Sequence, residues 1–217
     1  MLVLAGWLTL PAPMNLRRYL FAPLALAFCA ASIPQARGQA PDAPATVRSL
    51  CDALIAAMKQ GASLNFAARR DLLAPEIRRD LDLDFMTRIV VGPTWRGLPS
   101  PDRQKLEEAF GDFSIATYAE RFKSYSGERF DVDPKADPQA SGDCVVHTKL
   151  FTGAPDPVEL DYLLRKTGDQ WRIIDVYLNG TISEMAARRS EYSTVLRDGG
   201  APALVELLRK KAVDLGG

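Results

Sequence analysis

The apolar pattern of this chain changes period twice. Between about residues 128 and 178 large apolar residues recur at every second position, in short runs rich in Val, Ile, Tyr and Phe; before and after that stretch they recur at three and four. Period two presents one face of a strand to a core, and a period near 3.6 presents one face of a helix. The order helices, strands, helices predicts a meander of about four antiparallel strands with helices wrapped over one face, the α+β class. The predicted strands are 128–133, 143–151, 158–165 and 171–178, separated by turn clusters at 153–157 and 167–169. In the third, Val158, Leu160, Tyr162 and Leu164 share a face opposite Glu159, Asp161 and Arg165, so this strand has a wet side and an apolar side.

Upstream, Val47, Leu50, Cys51, Leu54 and Met58 have the spacing of an amphipathic helix that Gly61 ends. A second helix over 66–73 is expected to stop at Pro75. A third over 77–91, carrying Leu81, Phe85, Met86, Ile89 and Val90, should break at Gly92-Pro93. Ser100-Pro101 supplies a cap and a first-turn proline. The helix beyond places Leu106, Phe110, Phe113, Tyr118, Phe122 and Tyr125 on one broad stripe. Downstream, Thr181 and Glu184 have capping-box spacing for a helix over 182–196. Gly199-Gly200 ends that helix, and Pro202 opens a last one with Leu204, Leu207 and Leu208 on one side.

Charge narrows the partners. The 27 basic residues equal the 27 acidic ones, so no global field attracts phosphates and nucleic acid is not an expected partner. Residues 1–40 depart from this balance, with Arg17, Arg18 and Arg37 but no acid. The apolar run from Tyr19 to Ala31 is too short for a bilayer span of ~20 residues and fits a secretory signal. Read from a start at Met14, Arg17-Arg18 is the positive region and Gly38-Gln39-Ala40 offers the small residues of a cleavage site. Residues 1–40 are therefore expected to be a signal peptide and 41–217 a single exported domain. Lipid anchoring at Cys29 is disfavoured by the bulky Phe28 before it. Cys51 and Cys144 remain in a compartment that permits disulfides, either joined or as two buried thiols.

The search for chemistry is mostly negative. The chain has no phosphate-binding glycine loop, no Gly-x-Ser-x-Gly elbow, no His-Glu-x-x-His and no Cys-x-x-Cys. His147 is the only histidine and reads as a solvated or satisfied strand residue. No metal site, cofactor or catalytic residue is expected. Asn179-Gly180-Thr181 matches a glycosylation pattern that a turn and a cap explain as well. Asp82 and Asp84, two apart, point to different sides of a helix and make no proton-sharing pair. Asp175 interrupts the apolar Ile173-Ile174-Asp175-Val176 and needs partners. It is either a carboxylate satisfied by an Arg or by nearby backbone, or the base of an isomerase-like pocket with Tyr162 or Tyr177 as proton donor.

Several runs resemble the MlaC/toluene-tolerance family of periplasmic lipid-binding proteins. They are Leu73-x-Pro75-x-Ile77, Asp84-Phe85-Met86, Gly92-x-x-Trp95-Arg96, Arg103, Phe110-x-x-Phe113, and Tyr118-Ala119-x-x-Phe122. Leu160-x-Tyr162 and Trp171-Arg172-Ile173-x-Asp175-Val176 continue them, over about residues 45–212. The block Gly180-Thr181-Ile182-Ser183-Glu184-Met185-Ala186-x-Arg188-Arg189-Ser190-Glu191-Tyr192 is similar to the hopanoid-associated HpnM branch.

The resemblance implies helices and a strongly curved antiparallel sheet of about four to five strands enclosing an apolar pocket, with no catalysis. It implies a monomeric carrier that takes a hopanoid, or a phospholipid, between inner and outer membranes, and an RND-type or other inner-membrane transport machinery as partner. The candidate lining is Phe85, Ile89 and Val90; Phe110, Phe113, Tyr118 and Phe122; Leu160, Tyr162, Leu164, Ile174 and Val176; and Ile182, Met185 and Tyr192. Which face of the last strand lines the pocket stays open, since Trp171, Ile173, Asp175 and Tyr177 alternate with Ile174 and Val176. Arg188, Arg189, Lys210 and Lys211 read as a solvated helix face or as contacts for an acidic partner. A pocket enzyme using Asp175 with a Tyr, and a non-lipid assembly module with a filled core, are the competing readings.

Overall fold

A computed structural model describes residues 42–61 and 63–216. The proposed leader, its cleavage site and Cys29 lie outside the described residues. Helix α1 (Ala43–Lys59) starts where Asp42 accepts a hydrogen bond from Ala45 N at 2.8 Å, and it buries Val47, Leu50, Cys51, Leu54 and Met58. The turn after it needs glycine for space as well as for a stop, since a Cβ on Gly61 would lie 2.0 Å from the carbonyl oxygen of Lys123.

Pro75 does not stop the second helix. Helix α2 (Phe66–Asp80) runs through it, because Pro75 and the Asp71 region one turn earlier are exposed and water can serve the carbonyl that the proline leaves unbonded. The break comes instead at Leu81-Asp82, inside the expected 77–91 helix. There Leu81 bridges to Ile173, Asp82 N donates to Ile173 O, and Asp82 caps α3 (Leu83–Val91). Arg172 donates to the Arg78 and Leu81 carbonyls and so closes the end of α2. Gly92, at φ 68°, turns the chain into a 3-10 helix (Gly92–Gly97). Helix α4 (Ser100–Arg121) then ends earlier than its aromatic stripe, leaving Phe122 at the cap and Tyr125 exposed.

The sheet has six strands: β1 (Arg129–Val132), β2 (Asp137–Pro138), β3 (Cys144–Phe151), β4 (Val158–Thr167), β5 (Gln170–Leu178) and β6 (Ile182–Ser183). All neighbours pair antiparallel in the order β1-β3-β4-β5-β6, and β2 also pairs with β3. The sequence shows four of these; β2 and β6 are two residues long, too short to carry a period. Cys144, Val146 and Thr148 face the helices beside Leu164, Tyr162 and Leu160, while His147, Lys149, Asp161 and Glu159 share the other face. A register shift between Leu163 and Leu164 pairs them with Asp175 and Ile173 and leaves Ile174 between. The question of which β5 face is apolar therefore has a split answer, because the bulge changes the alternation midway.

Helix α5 (Glu184–Asp214) is capped by Ser183, whose oxygen accepts from Ala186 N, rather than by the expected Thr181. The two predicted C-terminal helices follow one another across a break at Gly200, whose φ 66° and ψ −164° are not helical, as the Gly199-Gly200 pair predicts; both are included in the range of α5. Helices α1, α2, α3 and α5 all pack on β5, and α4 lies between α2, α3 and α5. No helix among the described residues is long and apolar enough to cross a membrane.

Candidate functional site

Helix α4, strands β4 and β5 and the first turn of α5 leave an interior chamber of about 90 Å³. Six of the candidate residues meet there: Tyr118, Phe122, Leu160, Tyr162, Val176 and Met185. Each arrives for a local reason. Tyr118 and Phe122 are one helical turn apart and stack with ring centroids 5.9 Å apart. Leu160 and Tyr162 are alternate residues of β4, and Val176 is the cross-strand partner of Tyr162. Met185 is carried in by the start of α5. Leu81, Met86, Ser114 and Thr117 complete the walls and were not among the candidates. The sequence signal for Met86 was its place on the α3 stripe. Thr117 gave none, since its hydroxyl is spent on the Phe113 carbonyl.

The other candidates go elsewhere. Val90, Phe110 and Leu164 are buried in the common core, with Ile89 partly buried against it. Phe85 lies under the Arg165 guanidinium, 4.3 Å from ring centroid to carbon. Ile174 is buried but outside the main core cluster. Tyr192 is buried and accepts a hydrogen bond from Arg188. Ile182, on the two-residue edge strand, is 55% exposed and is not on the chamber wall. Phe113 faces an outer groove instead. A stripe as broad as that of α4 cannot face one cavity, because the helix is packed on several sides.

Asp175 is satisfied structurally. Its Oδ1 accepts from Val176 N at 2.8 Å and Met185 N at 3.1 Å, and Oδ2 accepts from the Ser183 hydroxyl. It is absent from the chamber lining and ties β5 to the start of α5. Burial drives the Tyr162 phenol well above its ordinary range, with the Cys51 thiol beside it adding to the shift. Burial also pushes the thiol of Cys51 up to about 12 and that of Cys144 up to about 11. Both cysteines are free, which settles the pairing left open by the sequence. No group of three or more metal-ligating side chains occurs among the described residues.

The chamber has a charged mouth. Arg188 donates through Nη2 at 2.7 Å and Nε at 3.2 Å to Glu184 Oε1, and Arg121 Nη1 lies 3.6 Å from the same oxygen. Burial opposes the Arg188 cation, but Glu184 and Tyr192 outweigh it and hold its pKa above the ordinary value. Outside this cluster runs a groove of about 540 Å³. Thr117, Arg121, Glu184 and Arg188 line both spaces.

A family model described as MlaC protein matches residues 48–210. No curated protein matches the chain. Among solved structures, the chain is similar to a phospholipid-binding protein from Ralstonia solanacearum, determined in complex with a phospholipid. The TM-score is 0.70 at 23% identity, covering 82% of this chain and 100% of that one. That likeness establishes a shared fold.

Proposed function

The chain belongs to the MlaC family, and on that premise we propose that it is a carrier that holds the apolar part of a lipid between α4 and the sheet and performs no chemistry on it. The observation that carries this reading is the chamber, where aromatic and aliphatic side chains of α3, α4, β4, β5 and α5 converge. The physical need is plain: roughly twelve methylene equivalents exposed to water cost ~10 kcal/mol at about 0.8 kcal/mol each, a barrier that a protein cavity removes. A lipid of that size needs several hundred Å³. The chamber of about 90 Å³ is then a closed form that widens on loading, with the glycine breaks at Gly92 and Gly200 as hinges.

Two cargoes fit. The 180–192 block favours a hopanoid, and the phospholipid held by the R. solanacearum protein favours a phospholipid. Residues 1–40 act as an export signal cut after Ala40, which places a monomeric carrier in the periplasm. It carries lipid between inner and outer membranes and exchanges it with an RND-type or other inner-membrane machinery.

The test is native mass spectrometry of the exported product of the full-length chain, purified without detergent, followed by lipid extraction. The expected result is a chain beginning at Pro41 with discrete additional mass that extracts as hopanoid or phospholipid. A bare mass that persists after incubation with both lipid classes ends the carrier reading and favours an assembly module with a filled core.

A further inference from the structure

We infer that Arg121 and Arg188 form an anion site at the mouth of the chamber, held shut by Glu184, and that its occupant in the loaded protein is the phosphoryl group of a lipid. The inference rests on the carrier reading and decides between its cargoes in favour of a phosphate-bearing lipid over an uncharged one.

Position is the first argument. The four residues shared by chamber and groove include both arginines and Glu184. An amphiphile with its chain among Tyr118, Phe122 and Leu160 must therefore lead its headgroup past these guanidinium groups. Displacing Glu184 also joins the chamber to the groove, giving a continuous space on the scale of a lipid chain.

Geometry is the second. A guanidinium is a planar fork matched by two oxygens. Here Nε and Nη2 of Arg188 and Nη1 of Arg121 all converge on the single oxygen Oε1 of Glu184. Among the described residues no hydrogen bond reaches Oε2. The carboxylate is thus an incomplete occupant, and a phosphoryl group, with several oxygens, satisfies both forks at once.

Environment is the third. The Arg188 side chain is only 12% exposed, with its guanidinium 4.8 Å over the Phe113 ring and a further bond to Tyr192. An anion bound there is partly shielded from water and salt, so the contact counts for more than a surface pair. The groove around them also carries Glu120, Glu191, Asp214 and Lys211, with Lys211 paired to Glu191, so the attraction for an anion is local to the two guanidinium groups and not a property of the groove.

The experiment measures binding of a phosphatidic acid and of the diacylglycerol with the same chains to the wild type, Arg121→Gln, Arg188→Gln and Glu184→Gln, with inorganic phosphate as a separate arm. The wild type should prefer phosphatidic acid. Each arginine variant should lower that preference about tenfold, the scale of losing a hydrogen bond between charged partners, and Glu184→Gln should raise it. Arg121 is exposed, so its variant keeps the test open where Arg188→Gln fails to fold. An equal preference in all four proteins, with both lipids bound, overturns the anion site and leaves the carrier reading standing. Binding of neither lipid to any protein overturns both. Inorganic phosphate that binds as tightly as phosphatidic acid, and is lost in the arginine variants, reassigns the site to free phosphate and overturns the headgroup assignment.

Discussion

Asp175 shows why a carboxylate sits inside an otherwise apolar run. It is 5% exposed, and its three donors are Val176 N, Met185 N and the Ser183 hydroxyl. Asp175→Ala should cost about 2–4 kcal/mol, because it leaves these donors unpaired, whereas Asp175→Asn, which keeps one acceptor oxygen, should cost about half as much. Urea unfolding of the two variants checks this; equal, negligible losses would refute the structural role. His147 offers a second test. Asp161 at 2.8 Å and Asp137 at 3.1 Å flank its ring nitrogens, and the Asp161 contact above all raises its pKa above 6.5. A cation favoured by folding adds stability that is fully present below the unfolded value and is lost as pH rises through the raised folded value. The side chain is 48% exposed, so the effect is small. The stability difference between wild type and His147→Gln should be larger near pH ~5.5 than near pH ~8.5. Partner identities of this kind were not legible in the sequence, since Asp161 and Asp137 reach His147 only through strand pairing.

At the scale of elements, hydrophobic periodicity was the signal that held, and the expected cap residues and the proline stop were the ones that did not. The α1 stripe is buried as its spacing predicted, but the side chains that cap helices, Asp42, Asn65 and Ser183, are not the expected ones: Ser100 is the first residue of α4, preceded by Pro99 at the cap, and makes no capping bond. The misplaced boundaries have long-range causes. Pro75 lies within a helix because its exposed side lets water replace the lost bond, and the true break at Leu81-Asp82 is made by β5 and by Arg172. Ser183 outcompetes Thr181 as cap because β6 pairing with Tyr177 and the bond to Asp175 fix it there. The turn after α1 gives the prediction for this scale. Gly61→Ala would force a Cβ to 2.0 Å from Lys123 O, so the backbone after α1 or α4 must move, at a cost of roughly 2 kcal/mol or more. A melting temperature unchanged from wild type would show that the two turns are not in contact.

For the whole molecule, the decisive variable is the space between α4 and the sheet. Val176→Phe adds several methylene-sized groups on the chamber wall and should fill most of its roughly 90 Å³. Bound lipid should fall about tenfold or more while stability changes by less than about 1–2 kcal/mol, because the added volume enters an existing void. Undiminished lipid in the purified variant would place the cargo elsewhere. The sequence by itself determined the order and type of the elements, the wet and apolar faces of β4 and the absence of familiar catalytic motifs. Those properties depend on periodicity and on neighbours a few residues apart. Only the tertiary structure decided which apolar residues line a chamber and which fill a core. That choice turns on the bulge between Leu163 and Leu164, on the packing of α4 among its neighbours and on the meeting of Arg121 with the start of α5. Such contacts join segments far apart in the chain, and hydrophobic periodicity carries no information about them.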